Sequence, residues 1–271
     1  MQTIIEQASR FSNDIIEKRK ASVETIQQQK AFALSWKVDS LKTDAIYFKG
    51  YDTSMTISAV TGLPRYYYDH SKPFEKQITF YNNFVPAISI QKPTAYIIPH
   101  GWHEVISRLK LNNVVMHPLK NDTTILVEYY KVEDYKSMAK AYEGHHRNYN
   151  IELSTHIDSI HFLKGDYIIY TGQRADRYIV ETLEPLGDDS FFAWNFFDAV
   201  LQRKEFYSDY RWEDVAAGYL KQHPEVRNQL EEKKKADTAF AASAEQQLYF
   251  VYTHSPYSEP GYMRVPVFRI K

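Results

Sequence analysis

The spacing of apolar positions changes twice along this chain and divides it into three zones. Over residues 2 to 30, Ile4, Ala8, Phe11, Ile15, Val23 and Ile26 fall close to one helical stripe with no Gly or Pro between them. That spacing predicts one long amphipathic helix. From Phe32 to Ile169 the period shortens, and Pro, Gly and Asn punctuate short runs rich in Tyr, Val, Ile and Thr, which is the pattern of strands joined by turns. Strands are expected at 44–50, 65–69, 76–81, 84–91, 94–98, 113–117, 123–131, 149–155, 158–162 and 166–170. A helix interrupts them at 102–111, where Val105, Ile106 and Leu109 share a face. From Arg174 the helical period returns, predicting helices at 174–183, 190–205, 212–221, 224–235 and 237–250, the fourth opened by Pro224 in its first turn. A last strand is expected from Arg264 to Ile270. The expected fold is therefore α+β: an antiparallel β-rich region over roughly 32–170, packed with a mainly helical region at 171–255 and a closing strand at 264–270. Residues 1–31 read as a connecting helix and 32–271 as one domain.

Composition narrows the class of partner. The net charge is −1, with 33 basic and 34 acidic residues, so no global attraction to nucleic acid or to an anionic membrane is available. The basic run at 17–20, EKRK, reads as a solvated helix face. There is no cysteine, which excludes disulfides and thiolate metal sites. No run of 18 apolar residues occurs and the N-terminus lacks the pattern of a signal peptide, so no membrane span is expected.

The segment 165–205 carries the densest mixture of chemistry. Arg174, Asp176, Arg177, Glu181, Glu184, Asp188 and Asp189 lie between an apolar strand and the aromatic run FFAWNFF at 191–197, and charged groups beside so much aromatic surface suggest a pocket rim or an interface. Glu181 and Glu184, three apart, would share a helix face; Asp188 and Asp189 would cap the helix that follows. Acid pairs of this kind can hydrolyse glycosides, but ion pairs with Arg174 and Arg177 are the plainer expectation. HGWHE at 100–104 is a poor metal motif, because Ser107 stands where an HExxH helix needs its second His; a helix start with a packed Trp102 indole fits better. His145 and His146 in GHH are expected at the surface or the core edge. No GxSxG and no phosphate-binding glycine motif is present, so no catalytic residue and no metal ligand is assigned.

Five separated blocks carry a resemblance. They are KGYDTSMTISAVTGLPRYYYDHSKPFEKQITFYNNFVP from Lys49, KPTAYIIPHGWHEVISRLKLNNVVMHPL from Lys92, DYKSMAKAYEGHHRNYN from Asp134, DRYIVETLEPLGDDSFFAWNFFDAVLQRKE from Asp176, and THSPYSEPGYMRVPVFRI from Thr253. In order and spacing they resemble the C-terminal, non-zinc-ligating region of bacterial zinc carboxypeptidase-like proteins of the carboxypeptidase A-like superfamily, found in Bacteroidetes-type bacteria. The family's zinc site needs an HxxE pair and a distant His, and no His here is followed by Glu three residues on. The resemblance thus implies an accessory region, inactive by itself, with zinc expected only in a separate catalytic domain that is its partner in cis or in trans. It also implies a periplasmic or secreted location. Arg174, Arg177, Glu181, Glu184, Asp188, Asp189, Trp194, Trp102, His145 and His146 are the candidate contacts. The alternative reading is a free-standing module for glycan or peptide, built on the aromatic runs RYYYDH at 65–70 and FFAWNFF.

Overall fold

The structure, a computed structural model, describes residues 1–203 and 206–271. The fold is α+β with antiparallel sheets, and the chain divides into two compact units, one of residues 1–30 with 91–271 and one of residues 31–90.

The smaller unit is all strand. A two-stranded sheet joins β1 (Ala31–Val38) to β4 (Phe84–Gln91), and a long hairpin joins β2 (Asp44–Ile57) to β3 (Pro64–Phe80). The two strands expected at 65–69 and 76–81 are one strand. Pro73, which reads as a break, faces Tyr51 where the register shifts, and a two-stranded ribbon with free edges tolerates a proline at such an irregularity. β1 carries too few turn signals to be separated from the helix before it, and the sequence pattern misses it.

The larger unit opens with two helices in place of the single helix expected over 2–30. α1 (Gln2–Arg10) and α2 (Ser12–Gln28) meet at Phe11, whose φ of −103° and ψ of 19° leave the helical well. Neither helix buries a residue, so its apolar stripe lacks the packing that keeps a long helix continuous. A six-stranded sheet follows in the order β6-β9-β5-β10-β7-β8, formed by β5 (Ala95–Ile98), β6 (His117–Pro118), β7 (Thr123–Ser137), β8 (Asn148–Phe162), β9 (Tyr167–Tyr170) and β10 (Arg264–Ile270). The expected strand at 113–117 shrinks to the two residues of β6, while 149–155 and 158–162 fuse into β8. Every pairing of this sheet is antiparallel.

α3 (His103–Leu111) buries Val105, Ile106 and Leu109 as its spacing predicts. Val105 and Leu109 join Tyr96, Ile98, Val132, Ile169, Ile179, Leu183, Phe191, Phe192, Phe197, Val265 and Val267 in the main core. α4 (Asp176–Leu183) lies against the same core. The helix expected at 190–205 does not form. Residues 191–197 are a chain of turns, followed by one 3-10 turn at Asp198–Leu201, and Lys204 and Glu205 lie outside the described residues. Asn195 takes φ of +67°, a left-handed value that ends helical propagation. The turns drive Phe191, Phe192 and Phe197 into the core, each worth roughly 1.5–3 kcal/mol, and that burial outweighs the lost helical hydrogen bonds.

α5 (Asp209–Gln222), α6 (Pro224–Ala236), α7 (Thr238–Ala241) and α8 (Ala244–Thr253) share a second cluster around Trp212, Leu230, Phe240 and Val251. The single helix expected at 237–250 is two. Ser243 stops α7 and caps α8, its side chain accepting a hydrogen bond from the Gln246 amide, as N-cap serines do.

Candidate interaction site around Trp194

α4 fixes the first part of the site. Arg177 and Glu181 lie one turn apart on its half-exposed face and form an ion pair. The helix then ends: Glu184 has φ of −83° and ψ of 119°, so its side chain leaves the face of Glu181. Gly187 folds back so closely that a Cβ there would stand 2.5 Å from the Glu181 carbonyl oxygen. That close approach returns Asp188 and Asp189 over the helix end, both exposed. Burial pushes the Glu181 carboxyl above its ordinary value; Arg177 opposes this, and Asp189 and Asp188 add to it.

Trp194 is the centre. Its Nε1 donates to Asp189 Oδ1 at 3.1 Å, and the guanidinium of Arg147 stands 4.6 Å over its ring while donating to the Asp188 carbonyl. Such a cation over an indole contributes about 0.5–2 kcal/mol. His145 meets the Trp194 ring edge-on at 5.5 Å and lies 5.7 Å from Phe196. The Asn195 side-chain Nδ2 donates to the His146 carbonyl at 2.9 Å, tying 145–147 to the aromatic turns, and the His146 ring is hydrogen-bonded to the Met138 carbonyl. From α3, Arg108 stands 4.3 Å over Phe196 and pairs with Glu104 at 2.6 Å.

Arg177, Glu181, Asp188, Asp189, Trp194, His145 and His146 therefore converge. The remaining candidates do not. Glu184 is buried and faces the opposite way, so it shares no face with Glu181; the spacing of three residues presumes a helix that has already ended. Asp188 and Asp189 cap no helix, because none follows them; Asp189 serves the Trp194 indole instead. Arg174 is exposed and forms no ion pair among the described residues. Trp102 packs edge-on against Phe197 at 5.0 Å, away from Trp194. Arg147 and Arg108 were not singled out by sequence. Arg147 sits inside the EGHHRNYN block, and Glu104 four residues before Arg108 is an ion-pair spacing, but neither signal says which ring a guanidinium will cover.

A second polar group lies largely inside, with Glu184, Glu128 and Arg269 buried and Tyr130 partly so. The Tyr96 hydroxyl donates to Glu184 Oε1 at 2.7 Å, and Arg269 Nη1 donates to Glu128 Oε1 and to the Tyr130 hydroxyl, each at 2.6 Å. Arg269 Nε lies 3.2 Å from Glu184 Oε1 without the angle for a hydrogen bond. Burial pushes Glu184 up, against Arg269, Tyr96 and Tyr130, with Glu128 adding to the rise. For Arg269 burial works downward, but Glu184, Tyr130, Tyr96 and Glu128 outweigh it and hold the guanidinium above its ordinary value. This group ties β5, β7 and β10 to the end of α4.

Chemically, the Trp194 surface offers hydrogen-bond donors, carboxylates and half-exposed aromatic edges. Among the described residues no three His, Cys, Asp or Glu side chains are grouped to hold a metal ion, and no helix is long and apolar enough to cross a membrane. The fold is α+β, and the site is a charged surface centred on an aromatic ring. No protein-family model, no curated protein and no solved structure matches the chain.

Proposed function

We propose that the chain is the accessory, non-catalytic region of a zinc carboxypeptidase-like protein, which packs on the peptidase domain or helps present peptide to it. The observation that carries this reading is convergence: two separated blocks of the resemblance, EGHHRNYN and GDDSFFAWNFFD, meet at Trp194 with α4 beside them. A surface assembled from distant segments, rimmed by charge and centred on a half-buried Trp, has the make-up of a protein-binding patch. The unpacked apolar stripe of α1 and α2 lends further support, with Ile4, Ile5, Ile15 and Ile16 all exposed. A periplasmic or secreted setting follows from the same reading.

The purified chain should release no C-terminal residues from peptides when zinc is added, and should bind a zinc carboxypeptidase-like catalytic domain. Replacing Trp194 by Ala should weaken that complex at least about tenfold, as expected for a central aromatic anchor. Zinc-dependent turnover abolished by a chelator would overturn the reading.

One observation favours the alternative, a module for glycan or peptide: Tyr66 and Tyr68, two apart on β3, project from the same strand face and are 74% and 69% exposed. The other aromatic run counts against it, since Phe191, Phe192 and Phe197 are buried. Retarded migration of the chain in polysaccharide gels, lost on changing both tyrosines to Ala, would favour this alternative.

A further inference from the structure

A cleft of about 260 Å³ is lined by Trp102, Pro99, Pro266, Phe268, Ala199 and Arg264. Two prolines with fixed φ make the walls stiff, so the cavity exists before anything enters it. Arg264 is its unusual member. It is half-buried, its guanidinium standing 5.6 Å from the Tyr129 ring and 5.5 Å from the Phe268 ring, and among the described residues no carboxylate forms an ion pair with it. Burial holds it below the ordinary arginine value, while Tyr129 and Asp158 pull the other way. A partly desolvated cation flanked by rings gains more from an incoming anion than a solvated one does.

The backbone is shaped to put Arg264 there. Met263, just before it, takes φ of +57°, a strained value for a long side chain. That residue is held by hydrogen bonds on both sides, from its own amide to Val200 O and from the Val132 amide to its carbonyl. Immediately after it, β10 carries a bulge: Arg264 pairs with Lys131 and Phe268 with Tyr129, so that three residues of β10 lie between the pairs against one of β7. Strain and bulges gather where a side chain is re-aimed.

We propose that this cleft is a binding site for a ligand carrying a single carboxylate on an apolar or aromatic body, the carboxylate held by Arg264 and the body seated between Trp102, Pro266 and Phe268. The site lies apart from the Trp194 surface and stands or falls without the docking proposal.

The test titrates the full-length chain with N-acetyl-phenylalanine and with its uncharged amide, by calorimetry or ligand-observed NMR. The acid should bind at least about tenfold more tightly than the amide, and 0.5 M salt should weaken it. Arg264→Gln should remove the preference. Ala199→Leu places a larger side chain on the cleft lining from an exposed position and should abolish binding of both compounds; it decides the matter where Arg264→Gln fails to fold. Equal binding of acid and amide, no binding of either, or an acid affinity unchanged in folded Arg264→Gln or in Ala199→Leu would each overturn the proposal.

Discussion

At the scale of residues, the buried charges are the sensitive points. Asp176 is wholly buried and accepts hydrogen bonds from Lys92 Nζ at 2.8 Å and from the amides of Gly172 and Gln173 at 2.8 and 3.0 Å. Asp176→Ala leaves these donors facing a vacated site, and should lower unfolding free energy by about 3–5 kcal/mol in urea titrations. Glu184 behaves differently because burial raises its pKa from an ordinary 4.5. A carboxyl raised on folding stabilises the native state below its unfolded-chain value, and the contribution is lost as pH climbs through the folded value. Glu184→Gln keeps an acceptor for Tyr96 and never ionises. Its stability relative to the native chain should therefore improve as pH is raised from about 4.5; a difference in urea midpoint that stays flat from pH 4.5 to 8 would contradict this. Sequence could identify these acids as chemically loaded, but not which would be sealed inside, because burial depends on where α4 stops.

At the scale of elements, the turn after α4 decides the geometry of the Trp194 site. Gly187→Ala would place a methyl against the Glu181 carbonyl, a backbone atom that cannot swing away. The expected cost is about 1–3 kcal/mol, with a red shift of Trp194 fluorescence as Asp188 and Asp189 move off the indole. α1 presents the opposite case. None of its residues is buried, so removing residues 1–10 should change the stability of the isolated chain by less than about 0.5 kcal/mol, while weakening binding to a catalytic domain if its apolar stripe is part of that contact. Helices with one clean stripe, such as α3 and α6, were legible from periodicity. The aromatic run was not, since rings at mixed spacing fit a helix and a series of turns equally well, and only the core they enter distinguishes the two.

At the scale of the whole molecule, the chain crosses between its units at two neighbouring points. The Lys92 amide donates to the Lys30 carbonyl at 2.8 Å, so the larger unit brings its own ends together where residues 31–90 leave and return. Replacing 31–90 by a Gly-Ser linker of about four residues should leave that unit folded, with near-native helical circular dichroism and one cooperative transition. A molten product would show instead that the larger unit depends on the smaller.

The sequence by itself determined the class of fold and the spans of α3, α5, α6 and β10, because helical and strand periods and the position of Pro224 are local properties. It also placed the acids, arginines and Trp194 in one segment. Only the tertiary structure decided that Glu184 faces inward to Arg269, that Arg147 comes from β8's approach to cover Trp194, and that β2, β3 and β8 run through apparent breaks. Those outcomes depend on partners far away in the chain: strand length is set by the strand alongside, and the direction of a side chain by the surface that is there to receive it.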